Sequence, residues 1–446
     1  MAEIGKNQAV IARYIAEHKA RDFPPHIIEA ARLCLADWMA VAVGAGDEPA
    51  GRMVRDTVAS WGSTGKSSVL YGGTAAAPFA ALANGTLAHC LDFDDTHVGA
   101  ITHTSAPVWA ATLALGEALG ADERAMLRAF VVGFEVATRA GGGLGQAVTS
   151  RGFHSTGVWG RIGATAAAAA LMGLDAEQTA NALGVAATQA SGLTASFGTM
   201  AKPFHAGKAA MDGILAAELA AGGFTAAVDV LEPGGGLDRA LIQDGTARIT
   251  PASFDHWEIL ENSIKPYAAC HLVHPSADAA RALGITPDTI ARITARVSPL
   301  CMQMTGEADG RPQSSLAAKF DLKYCIALAL HGGRLSAADF LEPWHPDPAI
   351  LATAARIEPV ADRGTGFAAA RLDVDLIGGG AKSSAITTAK GHPGNPMTWD
   401  DMWSKFDGLV SRPLGAEAAA DLFDHVRDFG SGRALDGIRG ALRRLR

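Results

Sequence analysis

Apolar residues recur at three- and four-residue steps from about residue 8 to about residue 220, broken at Gly or Pro, and this spacing predicts helices almost throughout. ATLALGEALG and ATAAAAALMG are Ala-rich, and such helices approach one another closely enough for a compact bundle. Some helix ends are legible. Asp175 precedes AEQTANALGVAATQAS, with Gln178 three residues on, the pattern of a reciprocal capping box. Gly173 just before it ends the preceding helix.

After Lys265 the texture changes. ARITARVSPL and ARLDVDLIGG alternate apolar with polar residues and carry β-branched side chains, so they read as strands. FDLKYCIALALHGG and SAADFLEPW return to helix. Thr398 with Asp401 caps a helix, DDMWSKFDGLV, and two more helices follow. The expected fold class is therefore mainly α: a large all-helical domain over residues 1–265, completed by 396–446, plus a smaller α+β domain over 266–395. No repeat at a solenoid period and no low-complexity linker interrupts the 446 residues.

Composition narrows the function. Hydrophobic residues make up 48% and charged residues 19%, enough for a large core. The net charge of -8 argues against nucleic acid or an anionic membrane as the main partner; the basic end ALRRLR reads as an amphipathic terminal helix. Cys34, Cys90, Cys270, Cys301 and Cys325 are scattered without a CxxC pair, which fits a reducing compartment. MAEIGKNQAVIARYIAEHKA lacks an apolar targeting core, and no run reaches the ~18 apolar residues of a membrane span. A cytoplasmic protein is expected.

The candidate chemistry centres on LDFDDTHVGAITHTSAP. It sets Asp92, Asp94, Asp95, His97, His103, Thr96, Thr102 and Thr104 between two apolar segments. Four other stretches combine polar groups with helix breaks: GFHSTGVWG with His154; GTMAKPFHAGKAA with Lys202, His205 and Lys208; KPYAACHLVHPSAD with Lys265, Tyr267, Cys270, His271 and His274; and AAKFDLKYCIA with Lys319, Lys323 and Tyr324. The acidic stretch offers metal ligands in number, but without HExxH or EF-hand spacing. There is no GxSxG elbow, and AGGGLGQ and EPGGG match no nucleotide motif. General acid–base chemistry remains: His103, His154, Lys202, Lys265 and Tyr324 are groups that burial can tune, and lysines could hold carboxylates beside a developing enediolate.

In order, LDFDDTH, HTSAPVWAATLALGE, GFEVATRAG, GFHSTGVWG, GTMAKPFHAGKAA, KPYAACHLVHPSAD, KFDLKYCIA and GHPGNPMTWDDMWSKF run from about residue 30 to 410. Together they resemble the MmgE/PrpD family, which includes 2-methylcitrate dehydratase, cis-aconitate decarboxylase and iminodisuccinate epimerase. The resemblance implies a helical domain with an α+β lid, a homodimer, and metal- and cofactor-independent chemistry on a small polycarboxylate. It matches Asp92, Thr96, His103, His154, Lys202, Lys265 and Tyr324 to family active-site positions. The expected site has His103, His154, Lys202, Lys265 and Tyr324 in catalysis, and Asp92, Thr96, His97, Cys270 and His271 in substrate binding. One departure stands out: the decarboxylase branch has KRFPAH where this chain has KPYAAC, so that its histidine falls at Cys270. With the chain's short length, this favours epimerisation of iminodisuccinate, His103 or His154 facing Lys202, Lys265 or Tyr324 across the α-carbon. Dehydration and decarboxylation are the alternatives within the family; a divalent-metal hydrolase and a non-catalytic binding protein are those outside it.

Overall fold

The computed structural model describes residues 3–21, 23–340 and 344–445, and divides into Met1–Ser263 with Leu409–Arg446, and Ile264–Gly408. In the first unit the helices that matter for the site are α1 (Pro25–Gly44), α2 (Ala77–Cys90), α3 (Ser105–Leu119), α4 (Glu123–Gly141), α5 (Ser155–Met172), α6 (Ala176–Ala187) and α7 (Ala201–Ala221). The Ala-rich α5 is buried from Ser155 to Ala170 and forms the centre of the bundle. Trp109 of α3 stacks on Phe130 of α4 with ring centroids 4.1 Å apart, filling the space the small residues leave.

Two helix crossings are made backbone to backbone. A Cβ on Gly85 of α2 would lie 2.9 Å from the Cα of Gly207, and one on Gly207 would run into the Leu82 carbonyl. A Cβ on Gly133 of α4 would lie 2.6 Å from the carbonyl oxygen of Gly163 in α5. Only glycine fits at such contacts. The α2–α7 crossing matters for function, since α7 starts at Ala201 and the acidic loop leaves the end of α2.

The expected caps are present. Asp175 and Gln178 form the reciprocal box at the start of α6, and Gly173 closes α5 at φ 68°. At the far end, Glu123 accepts from the backbone N–H groups of Gly430, Gly432 and Leu435, and Arg32 donates to the Phe429 carbonyl at 2.7 Å. These bonds tie the helices Ala416–Arg427 and Ala434–Leu442 back onto the first unit. Arg446 of the basic end lies outside the described residues.

The second unit holds a four-stranded sheet: β1 (Ile290–Val297), β2 (Ile357–Ala361), β3 (Ala370–Leu376) and β4 (Ala381–Ile386), in the order β2-β1-β3-β4. β1 and β2 are parallel and the other pairs antiparallel. The two strands read from sequence are β1 and β3, and both bury alternate residues. Helix α8 (His274–Ala282) packs on the sheet and on α9 (Leu322–Leu330). SAADFLEPW forms a 3-10 turn at Ala337–Phe340 rather than an α-helix; its residues 341–343 lie outside the described ones. The first unit resumes at Leu409 rather than 396. The reason is local: the start of the helix Trp399–Leu414 is bonded within the second unit, Lys405 Nζ to the Lys265 carbonyl at 2.8 Å and Lys390 Nζ to Asp401 at 2.7 Å. Among the described residues, no helix is long and apolar enough to cross a membrane.

Candidate active site

Helix α2 ends at Cys90, and the chain turns through Asp92, which adopts the left-handed conformation at φ 52°. Aspartate tolerates that region better than most residues, because its short side chain bonds locally. The turn swings Asp92 and Asp94 back toward His89, in the last turn of α2. His97 and Thr102 then close a tight loop through a β-bridge, with Ile101 at φ 49°. A β-branched residue there is strained, at a cost on the order of 1–3 kcal/mol. His103 emerges from this loop with its backbone N–H bonded to Thr156 Oγ1 at 3.1 Å.

The side chains converge. Asp94 Oδ2 lies 2.8 Å from His89 Nδ1 and 3.3 Å from His103 Nδ1. Asp92 Oδ1 lies 2.7 Å from Lys202 Nζ, in the first turn of α7, and 3.7 Å from His103 Nε2. Thr96 Oγ1 stands 3.4 Å from His103 Nδ1. On the other side of His89, the His154 ring stacks at 5.6 Å, and His154 Nδ1 meets His205 Nδ1 at 3.0 Å. Phe197 covers His154 edge-on at 5.0 Å, with Lys202 Nζ 5.5 Å from its ring.

Burial sets the protonation states. It alone would raise the Asp94 carboxyl, but the imidazoles of His89 and His103 outweigh it and hold Asp94 well below the usual carboxylate range. Burial pushes His89 down to about 4 despite Asp94. It also pushes His154 down, reinforced by His89, Lys202, His103 and His205. His89 is thus a neutral donor to an ionised Asp94.

Asp95, next to these groups, does something different. Burial raises its carboxyl. It accepts from Ser105, and from Asn262 Nδ2 at 2.6 Å, while its own N–H bonds Asp37 at 2.9 Å. It anchors the loop. His97 anchors it too: the Ala100 N–H bonds its Nδ1 at 3.2 Å, so its proton sits on Nε2, 3.0 Å from Glu258. That places His97 on Glu258 rather than among the converging groups, because its backbone is fixed by the bridge to Thr102 and the pairing with Asn262. Lys208 pairs with Asp212, which also holds Arg161. A cavity of about 250 Å³, lined by Tyr14, Arg21, Phe254, His256 and Trp257, involves none of the converging groups.

Asp92, Thr96, His103, His154 and Lys202 are therefore brought together within the first unit. His89 and His205 join them. His205 had been noted but given no role; His89 was missed, and its one signal was its position five residues before Asp94 across a helix end. Lys265, Cys270, His271 and Tyr324 belong to the second unit. Lys265 is buried, the Cys270 N–H bonds the Lys319 carbonyl at 2.9 Å, and the His271 ring lies 5.0 Å from that of His274. Tyr324 is buried on α9 with its ring against Trp344, and burial pushes its hydroxyl up to about 12.

Donor atoms of His89, Asp92, Asp94 and His103 lie within 4.8 Å of one another, a spacing a metal ion could span. The carboxylates are not free for one. Asp92 is already engaged by the Lys202 ammonium, and Asp94 Oδ2 by both imidazoles. The arrangement instead offers a cation, a carboxylate and imidazoles for holding an anion and moving a proton.

The model of the MmgE/PrpD N-terminal domain matches residues 9–250, and that of the MmgE/PrpD C-terminal domain residues 267–428. A cis-aconitate decarboxylase of Aspergillus terreus is 28% identical over 439 residues, covering 91% of this chain and 89% of that protein. The cis-aconitate decarboxylase of Mus musculus is 28% identical over 373 residues, 78% of this chain and 75% of its own. That of Homo sapiens is 29% identical over 372 residues, 78% and 76%.

Proposed function

Because the chain belongs to the MmgE/PrpD family, we propose that it is an acid–base lyase that decarboxylates cis-aconitate or a closely similar unsaturated tricarboxylate. That these relatives are cis-aconitate decarboxylases supports this alternative over the epimerisation favoured by sequence. The observation that carries the reading is that the Lys202 ammonium and the His103 imidazole share one carboxylate oxygen, Asp92 Oδ1, at 2.7 and 3.7 Å.

The chemistry needs those parts. Breaking the bond between the methylene carbon and its carboxylate releases CO₂ and leaves the electron pair on carbon. That pair delocalises through the double bond into the remote carboxylate as an extended enediolate. A proton delivered to the carbon α to that carboxylate completes the product, itaconate. Lys202 holds the carboxylate where charge accumulates, and His103 delivers the proton. His154, kept neutral, is suited to hydrogen-bond a substrate carboxylate or relay a proton with His205.

Epimerisation of iminodisuccinate remains the second reading, favoured by Cys270 in place of the decarboxylase histidine. Proton NMR in D₂O separates them. With cis-aconitate, the vinyl signals of itaconate carrying one deuterium at its methylene are expected. A new alkene from 2-methylcitrate would make the protein a dehydratase. Interconversion of iminodisuccinate stereoisomers with loss of the α-proton, and inert cis-aconitate, would replace decarboxylation by epimerisation.

A further inference from the structure

The inference concerns His89, a residue that lies one carboxylate away from the reacting groups, and it rests on the reading of His103 as the proton carrier. Within the described residues His89 is fully enclosed, and its Nε2 is buried without a hydrogen-bond partner. Its other nitrogen faces the ionised Asp94 at 2.8 Å. A proton on Nε2 would leave a donor unsatisfied there and would set a bare Nδ1 against a carboxylate. Both costs vanish when the proton sits on Nδ1.

The same oxygen of Asp94 receives His103 Nδ1 at 3.3 Å. Asp94 is an acceptor, so His103 also keeps a proton on Nδ1, which leaves the lone pair of Nε2, 3.7 Å from Asp92 Oδ1, to take up and deliver the transferable proton. The direction of that lone pair depends on how the Asp94 carboxylate is turned. The Asp94 Oδ1 atom is buried with no partner, so the group is oriented at Oδ2, where the His89 contact, 2.8 Å against 3.3 Å for His103, is the shorter. We propose that His89 is a positioning residue: through Asp94 it fixes the tautomer of His103 and directs His103 Nε2 to the substrate.

His89 has a second effect on the same carboxylate. Its N–H draws charge from Asp94 Oδ2, the oxygen that also meets His103 Nδ1. The charged and titratable groups facing the pair are few. His89 is faced by Asp94 and His103 from the loop, His154 from α5 and Lys202 from α7. His103 is faced by Asp92, Asp94, Asp95 and His89, and by His154 from α5. Removing the His89 donor leaves Asp94 Oδ2 with one contact fewer.

The test pairs two substitutions. In His89→Asn the amide nitrogen, bonded to Cγ as Nδ1 is, can still donate to Asp94; in His89→Leu no donor remains. Long-range ¹H–¹⁵N correlation on ¹⁵N-histidine-labelled full-length protein, with His103 assigned by comparison with His103→Gln, reads the tautomer without substrate. The expected result is an Nδ1-protonated His103 in the wild type and in His89→Asn, and loss of that single tautomer in His89→Leu. In parallel, kcat/KM for cis-aconitate should fall about tenfold or more in His89→Leu, mainly in kcat; His89→Asn should restore it. An Nε2-protonated His103 in the wild type, an unchanged tautomer in His89→Leu, or failure of His89→Asn to restore it would overturn the proposal. If His89→Leu does not fold, the wild-type and His89→Asn tautomers still decide. Should the wild type show the expected tautomer but leave cis-aconitate untouched, the functional reading falls and the positioning role stands.

Discussion

Lys202 Nζ and Asp92 Oδ1 stand 2.7 Å apart, joining the first turn of α7 to the turn that leaves α2. Both side chains are partly open to solvent, so the pair adds little to stability. On the proposed function its value is in catalysis. Lys202→Met should lower kcat/KM for the decarboxylation by about 100-fold or more while the unfolding midpoint stays nearly constant. Asp92→Asn combined with it should cost little further, since the two act as a unit; steady-state kinetics on the single and double variants checks this.

The backbone contact between Gly85 and Gly207 predicts a large effect from one methyl group. Gly207→Ala would push a Cβ into the Leu82 carbonyl of α2. A rigid crossing has no slack for that, and a loss of about 1–3 kcal/mol is expected. Because Lys202 and the acidic loop ride on the two helices that would be forced apart, activity should fall further than stability alone explains. Urea unfolding and kinetics on the same sample compare the two losses; equal activity per folded molecule would refute the coupling.

The buried histidines predict how stability depends on pH. His89 is lowered to about 4 by burial, and His154 and His274 are also lowered by it. A folded-state value below the unfolded one means that the unfolded chain binds more protons in the window between them. Stability is therefore fully present above about pH 6.5 and is lost as pH falls toward 4, by no more than about 3 kcal/mol for His89. Asp95 and Glu135, raised by burial, act in the opposite sense. Urea midpoints at pH 7.5, 6 and 5 should fall in that order, and a flat series would contradict the neutral state assigned to these rings.

The engaged donors around Asp92 and Asp94 predict indifference to chelators. Extensive dialysis against EDTA should leave turnover of cis-aconitate unchanged. Activity lost with EDTA and regained with Zn²⁺ or Mg²⁺ would show that a cation displaces Lys202 from Asp92, and would return the metal-hydrolase reading.

Much of the fold was legible because it rests on local signals. Helical periodicity, the Asp175–Gln178 box and the alternation in β1 and β3 all act over a few residues. SAADFLEPW misled because a short apolar run carries too little periodicity to tell an α-helix from a 3-10 turn. The site was legible only in part. Asp92, His103, His154 and Lys202 stood out as polar groups at helix breaks, and the structure gathers them. His89 hid inside the apolar run of α2, where an isolated histidine reads as core. His97 looked equivalent to His103, but its partner, Glu258, is 161 residues away. Nothing near His97 in the chain announces that bond.

His103, His89, His154 and His205 form a continuous row of rings, each within 5.6 Å of the next. Positive charge on any ring, with Lys202 already beside them, raises the cost of charge on the others. On the proposed function, the row is therefore a place where charge held beside the substrate is kept from being doubled.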